Sequence, residues 1–296
     1  MRRDIPATGE LTPPNRFTLD YVEPEGDLAQ LVTTFYHFRC EDALVRDIQP
    51  AAIGHIALFP RGNGHMARPD GGFDPSHEVV ILSPFAKAMP FVVDGPFHAV
   101  GAALTPLGWA ALTGLDASEH ANRLYPAAEW LPDEFVAQGQ ALCSAYRKGD
   151  IGAAEIHAAL GAFIAGHAAM PPPQHLLMMK VVGEWLASDL VPDMDALYAA
   201  SGFSKRQTQR LVQRYFGSTP VALRRKYRAL RAAAMLSQPD LPNDVATSVL
   251  DSFYDQPHMI REIREFVGRT PARLADPQTP YLSELTHAKN LRELGR

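Results

Sequence analysis

Over the first hundred residues, short apolar and β-branched runs alternate with Gly-, Pro- and Asp-rich punctuation. Residues 30–38 (QLVTTFYHF), 53–59 (IGHIALF), 78–83 (EVVILS), 90–94 (PFVVD) and 97–104 (FHAVGAAL) fit this description. The pattern predicts antiparallel strands. Between them RGNGHMARPDGGFDP consists of turn residues and reads as an exposed loop. After Pro106 the apolar period changes to that of a helix, over 106–113, 127–146 and 150–168. PPPQH at 171–175 is a stiff break, read as a domain boundary. From 175 to 275 the chain reads as consecutive helices with short turns. The polar tail 276–296 reads as frayed, with one short helix near 281–293.

The C-terminal hundred residues contain one pattern twice. MDALYAASGFSKRQTQRLVQRYFGSTP (194–220) and DVATSVLDSFYDQPHMIREIREFVGRTP (244–271) each run as apolar helix, tight turn ending in Phe, polar-faced helix and Gly-x-Thr-Pro. Aligned on Phe203 and Phe253, the closing Gly217 and Gly268 follow 14 and 15 residues later. Two helix-turn-helix units are the natural reading. In the first, Leu197, Ala200 and Phe203 are expected to pack on Leu211, Val212 and Tyr215, with Gly202 at the sharp turn and Ser204 as N-cap. The outer face then carries Lys205, Arg206, Gln209, Arg210, Gln213 and Arg214, without a carboxylate. An ordinary solvated face would mix signs, whereas this set suits phosphate oxygens and base edges. In the second unit Val245, Ala246, Val249 and Phe253 form the first apolar face, and Asp255 caps a helix cored by Met259, Ile263 and Phe266. Its outer face offers Gln256, Pro257, Ile260, Arg261 and Arg264, diluted by Glu262 and Glu265.

Charge sharpens the division. Residues 1–174 carry 20 Asp/Glu against 11 Lys/Arg, whereas residues 175–275 carry 10 against 14, inside a chain of net charge -5. A basic module joined to an acidic one implies different partners for the two halves. No run of about 18 uncharged apolar residues is present, so no membrane helix is expected. The N-terminus lacks a signal peptide's apolar core, so a cytoplasmic protein is expected. Cys40 and Cys143 lack any metal or disulfide spacing and read as small buried hydrophobes.

The two units resemble the double helix-turn-helix domain of the AraC/XylS family of transcription regulators. The resemblance rests on SGFSKRQTQRLVQRYFGSTP and FYDQPHMIREIREFVGRTP, joined by a helix carrying RRKYRALRAAAML. It implies an α+β chain: a β-rich sensor or dimerisation domain with flanking helices over 1–170, a small barrel or sandwich, followed by an all-α DNA-binding domain over 175–275. It implies base contacts from Arg206, Gln209 and Arg210 in the first unit. In the second it implies Gln256, Pro257 and Arg261, with Ile260 against a thymine methyl. Lys205, Arg214 and Arg264 are then left for phosphates. Two departures stand out. Ser252 replaces the usual turn glycine, which predicts a strained or altered turn, and Thr208 replaces a large aliphatic residue, which predicts looser packing. The linking helix, roughly 220–237, would be about 25 Å long. It would hold the recognition helices for successive major grooves ~34 Å apart. Leu223, Tyr227, Leu230 and Leu236 are its core positions, and Arg224, Arg225, Arg228 and Arg231 are expected to be solvated or paired with carboxylates of the second unit.

Residues from about Tyr21 to Leu131 resemble the β-rich region ahead of this domain in some family members, on FYHF, IALFPRGNGHM, FHAVGAALTPLGWAALTG and WLP. Double-stranded DNA is the expected partner. RNA polymerase, a small-molecule effector at the N-terminal domain and a second copy of the chain are the further partners the resemblance admits. The aromatic set Phe35, Tyr36, Phe38, Phe59, Phe73, Phe85, Phe91, Phe97 and Trp109 reads mainly as core, with an apolar pocket as the alternative. The eleven histidines include no His-x-His, and neither Gly-x-Ser-x-Gly nor HExxH occurs. No catalytic residue, metal or cofactor is assigned, and the chain is read as a regulator and not an enzyme. The rival reading makes the N-terminal domain a ligand-binding or catalytic unit and the helical half a protein-interaction adaptor.

Overall fold

A computed structural model describes residues 12, 16–237 and 241–274. Its N-terminal half is one antiparallel sheet of eight strands: β1 (Phe17–Val22), β2 (Val32–Cys40), β3 (Leu44–Gln49), β4 (His55–Ala67), β5 (Phe73–Pro75), β6 (Val79–Leu82), β7 (Met89–Leu104) and β8 (Leu124–Pro126). The main order is β1-β2-β7-β4-β6-β8, with β3 on β7 and β5 on β4. Strand β7 exceeds any one partner in length. Its first part pairs with β3 and its second part with β2, while β4 runs along its other edge. The sheet, expected as a small barrel or sandwich, curls around a cavity. Segments 90–94 and 97–104 are halves of this one strand.

The turn-rich stretch 61–75 departs from the expected loop: residues through Ala67 continue β4, and Phe73–Pro75 returns as β5. Its glycines serve close crossing instead of a turn. A Cβ on Gly64 would lie 2.0 Å from the Val92 carbonyl oxygen of β7, and Gly62 sits at φ +90 beside a shift in register. Local composition there favours a turn, and strand pairing overrides it.

Helices α1 (Pro106–Thr113), α2 (Asp133–Lys148) and α3 (Ala153–His167) pack against the sheet. Trp109, Ile156, Leu160 and Ile164, each at most 1 % exposed, enter its core. The C-terminal helices follow: α4 (Pro173–Ser188), α5 (Met194–Ala200), α6 (Lys205–Phe216), α7 (Pro220–Leu236), α8 (Asn243–Asp251), α9 (Gln256–Val267) and α10 (Pro271–Leu274). Their core joins Met178, Trp185, Leu197, Leu211, Tyr227 and Ile263, and Ala51 and Ala110 of the first half pack into it. Ala200, expected inside, is exposed, while Leu197 is fully buried and Phe203 is half-buried. No helix among the described residues is long and apolar enough to cross a membrane.

Candidate nucleic-acid interface

Helix α6 is delimited as its residues dictate. Ser204 and Gln207 form a reciprocal capping box, and Gly217 closes the helix at φ +74. Leu211, Val212, Tyr215 and Phe216 are buried, and the Tyr215 hydroxyl meets His175 Nδ1 of α4 at 2.8 Å. Thr208 is fully buried too, but it does not loosen the helix. Its hydroxyl pairs with Ser201 Oγ at 2.8 Å and lies 3.1 Å from the Ser204 carbonyl, so a buried polar pair replaces the expected aliphatic contact.

With that face inside, Lys205, Arg206, Gln209, Arg210 and Arg214 are all exposed. Among the described residues no carboxylate pairs with any of these cations. Lys205 lies over the Tyr198 ring at 4.8 Å, and Gln209 Nε2 donates to the Tyr198 hydroxyl at 3.3 Å. Lys205 and Arg206 occupy the helix N-terminus with no acidic residue in the first turn. Cations there oppose the helix dipole, an arrangement that an external anion relieves.

Helix α9 begins at Asp255, whose Oδ1 accepts from the His258 N–H, with Pro257 in the first turn, and ends at Gly268, φ +80. Met259, Ile263, Phe266 and Val267 are buried, and Gln256, Pro257, Ile260, Arg261 and Arg264 are exposed. Glu262 does not dilute this face as expected. It is 1 % exposed and turned toward α7, where it pairs with Arg225 at 2.6 Å, with Arg228, and with His258 at 3.1 Å. Only Glu265 stays at the surface, 3.1 Å from Arg225. Glu262 lies three residues after Met259 and four before Phe266, on the buried stripe of α9, so helical spacing places it inward, against the expectation that it dilutes the outer face.

The turn before α9 is altered without being strained. Gly202 takes φ +71 in the first unit, whereas Ser252 remains right-handed at φ -73. The Ser252 carbonyl accepts from Arg228 Nη1 at 3.0 Å, and its hydroxyl donates to the Val249 carbonyl at 2.7 Å. On α7 every arginine is engaged: besides Arg225 and Arg228, Arg224 donates to the Pro192 carbonyl and Arg231 to the Asp189 carbonyl. The linking helix therefore directs its cations to internal partners, while α6 and α9 present theirs outward.

The C-terminal ends of both outward-facing helices rest on the sheet half. The Ala117 N–H donates to the Arg214 carbonyl at 2.8 Å, the Ala88 N–H to that of Glu265 at 2.9 Å and the Ala51 N–H to that of Phe266 at 2.7 Å. Arg269, beyond α9, forms a buried ion pair with Asp47 of β3, and Lys226 of α7 donates to the Ala52 carbonyl at 2.9 Å.

Inside the curled sheet lies a cavity of about 150 Å³. Tyr36, Phe38, Phe59, Phe91 and Phe97 line it, and Leu230 of α7 contributes to its wall. The aromatic set thus divides: these five line the cavity, Phe35, Phe85 and Trp109 are packed core, and Phe73 is exposed.

A helix-turn-helix domain family matches residues 197–276. No curated protein matches the chain. Among solved structures, ToxT from Vibrio cholerae is similar at 7 % identity, covering 88 % of this chain and 98 % of that one, with TM-score 0.48. ToxT from Vibrio cholerae O395 bound to (E)-4-(8-methylnaphthalen-1-yl)but-3-enoic acid gives 8 % identity, coverage of 88 % and 98 %, and TM-score 0.46. The AraC-like transcriptional activator CuxR gives 11 % identity, coverage of 72 % and 86 %, and TM-score 0.32.

Proposed function

We propose, from the match of residues 197–276 to a helix-turn-helix domain family and the resemblance of the two units to the AraC/XylS family, that this protein is a sequence-specific DNA-binding transcription regulator whose two units read successive major grooves. The observation that carries the reading is the division of cations: those of α6 are exposed and free of carboxylates among the described residues, while those of α7 are engaged by carboxylates and carbonyls of the protein itself. Leaving unpaired cations on one helix face raises self-repulsion, and counterion release on a polyphosphate surface offsets it.

In this proposal Arg206, Gln209 and Arg210 of α6, and Gln256, Pro257, Ile260 and Arg261 of α9, meet base edges. Arginine bonds guanine in bidentate fashion, glutamine does the same for adenine, and Ile260 offers an apolar contact to a thymine methyl. Lys205, Arg214 and Arg264 hold phosphates and set register. The division into a sensing half over 1–170 and a DNA-binding half over 175–275 belongs to the same proposal, as does action at chromosomal DNA in the cytoplasm. The cavity in the sheet half is the site for a small-molecule effector, because its wall includes Leu230 of the helix that joins the two units. RNA polymerase and a second copy of the chain are further partners of such a regulator.

The test uses the full-length protein and an operator selected from random DNA. Arg210→Ala is expected to weaken binding by ~1–3 kcal/mol and to relax preference at one base position. Arg214→Ala is expected to weaken binding evenly across sequences and to reduce the salt slope by about one. Equal behaviour of the two variants contradicts the assigned roles, and salt-indifferent, sequence-indifferent behaviour of the wild type favours the adaptor reading.

A further inference from the structure

The cavity of the sheet half carries a buried imidazole whose ring nitrogens have no hydrogen-bond partner within the protein. His55, the first residue of β4, is 9 % exposed and lines the cavity, with its ring edge-on to Tyr36 at 5.5 Å between centroids. Neither of its ring nitrogens has a hydrogen-bond partner, and both are buried. Three hydroxyls of the wall have partners within the protein. Thr33 donates to the Ala103 carbonyl at 3.1 Å, Thr34 to that of Phe35 at 2.9 Å, and Ser76 to Asn63 Oδ1 at 3.0 Å. A buried polar atom left without a partner bears its whole desolvation cost, so its partner is to be sought in what fills the cavity.

The lining also says what that occupant is. No Lys, Arg, Asp or Glu lines the cavity among the described residues. A charged molecule would give up its hydration there without a counter-charge on the wall. Lys226 is close enough to help keep the His55 ring neutral, but it does not line the cavity, and its ammonium donates to the Ala52 carbonyl. A neutral imidazole carries one N–H donor and one bare acceptor nitrogen. A hydroxyl can donate to the bare nitrogen or accept from the N–H, so it satisfies either tautomer, whereas a carbonyl serves only the N–H. A volume of about 150 Å³ suits a molecule of about one substituted ring.

We infer that the cavity takes a small neutral apolar molecule bearing a single hydroxyl group, oriented by a hydrogen bond to His55 and resting against Leu230 of the linking helix. The inference builds on the effector reading of the cavity and names its ligand class. A molecule so held touches α7 directly, the helix whose Lys226 and Leu230 face the sheet half and whose arginines hold Glu262 of α9.

The test is calorimetric titration of the full-length protein with 4-propylphenol, propylbenzene and 4-propylbenzoate, with operator affinity measured in the presence and absence of each. The wild type is expected to bind 4-propylphenol at least about tenfold tighter than propylbenzene, with 4-propylbenzoate weakest. His55→Leu is expected to lose that preference while still binding propylbenzene. It should melt no lower than wild type, since it removes the unpaired nitrogens. The comparison of three ligands on the wild type stands even where a variant fails to fold. Tightest binding of 4-propylbenzoate, or a phenol preference that survives His55→Leu, overturns the assignment. Binding of none of the three, with operator binding intact, overturns it together with the effector reading and leaves His55 to ordered water. The expected preference without any change in operator affinity upholds the ligand class and overturns only the effector reading.

Discussion

His55 shows how one side chain can set the protein's response to acid. Burial, with a smaller contribution from the Lys226 ammonium, pulls its pKa from 6.5 down to about 4, and the neighbouring Tyr36 is a neutral ring. Above pH 6.5 the imidazole is neutral in both folded and unfolded chains and adds no pH dependence. Between pH 6.5 and about 4 the unfolded chain takes up a proton that the folded one refuses, so stability falls as pH falls, and below about 4 the loss is complete. For a group this buried the loss is on the order of 3 kcal/mol. His37, held at Nε2 by the Tyr146 hydroxyl at 2.8 Å, is also lowered to about 4, chiefly by burial, and acts in the same direction. Urea denaturation at pH 7 and at pH 4.5 is expected to show the decline, with a smaller decline in His55→Leu. An equal decline in the variant contradicts this account of His55.

At the scale of elements, α6 and α9 use one amphipathic plan with different inner seams. The seam of α6 is closed by the Thr208–Ser201 pair, and that of α9 by Glu262 with Arg225 and Arg228. Breaking a buried ion pair from one side leaves uncompensated charge, so Glu262→Ala is expected to destabilise the protein by roughly 3 kcal/mol. Thermal unfolding measures it, and a loss under about 0.5 kcal/mol, as for an ordinary surface position, contradicts the role assigned. The same elements show what the sequence makes legible. The limits of α6 and α9 follow from Ser204, Asp255, Gly217 and Gly268 together with helical apolar spacing, all of which are local signals. Helix α7 ends within a residue of its expected limit for the same reason. Strands β1, β3, β5 and β8 and the far half of β4 were not legible. β3 and β8 pair with strands forty or more residues away, β5 is only three residues long within turn-rich sequence, and Gly62 and Gly64 mimic a turn where the backbone in fact crosses β7 closely. The outward cations and Glu262's place on the inner stripe follow from spacing, whereas the arginines that Glu262 meets and the orphaned nitrogens of His55 depend on tertiary packing.

Across the whole molecule, the sheet half is the surface on which both α6 and α9 end. Gly217 lies against Ala117 and Pro84, and a Cβ on Gly268 would fall 2.4 Å from Ile48 Cγ2. Both Gly-x-Thr-Pro corners therefore seat on the sheet half, reinforced by the three backbone hydrogen bonds from Ala51, Ala88 and Ala117 and by the buried Arg269–Asp47 pair. A helix that frays at its C-terminal end has carbonyls to satisfy, and here another part of the fold satisfies them. In the proposed function, the bearing of α6 and α9 toward DNA is thus tied to the body that contains the cavity, which would give an occupant a physical route to influence DNA binding. Methylation interference with the full-length protein on its selected operator tests the central claim most directly. The account predicts two groups of critical guanines about one helical turn, ~34 Å, apart on one face of the duplex. Arg210→Ala is expected to abolish dependence on one group and Arg261→Ala on the other. A single group, two groups on opposite faces, or a pattern that neither variant changes would contradict it.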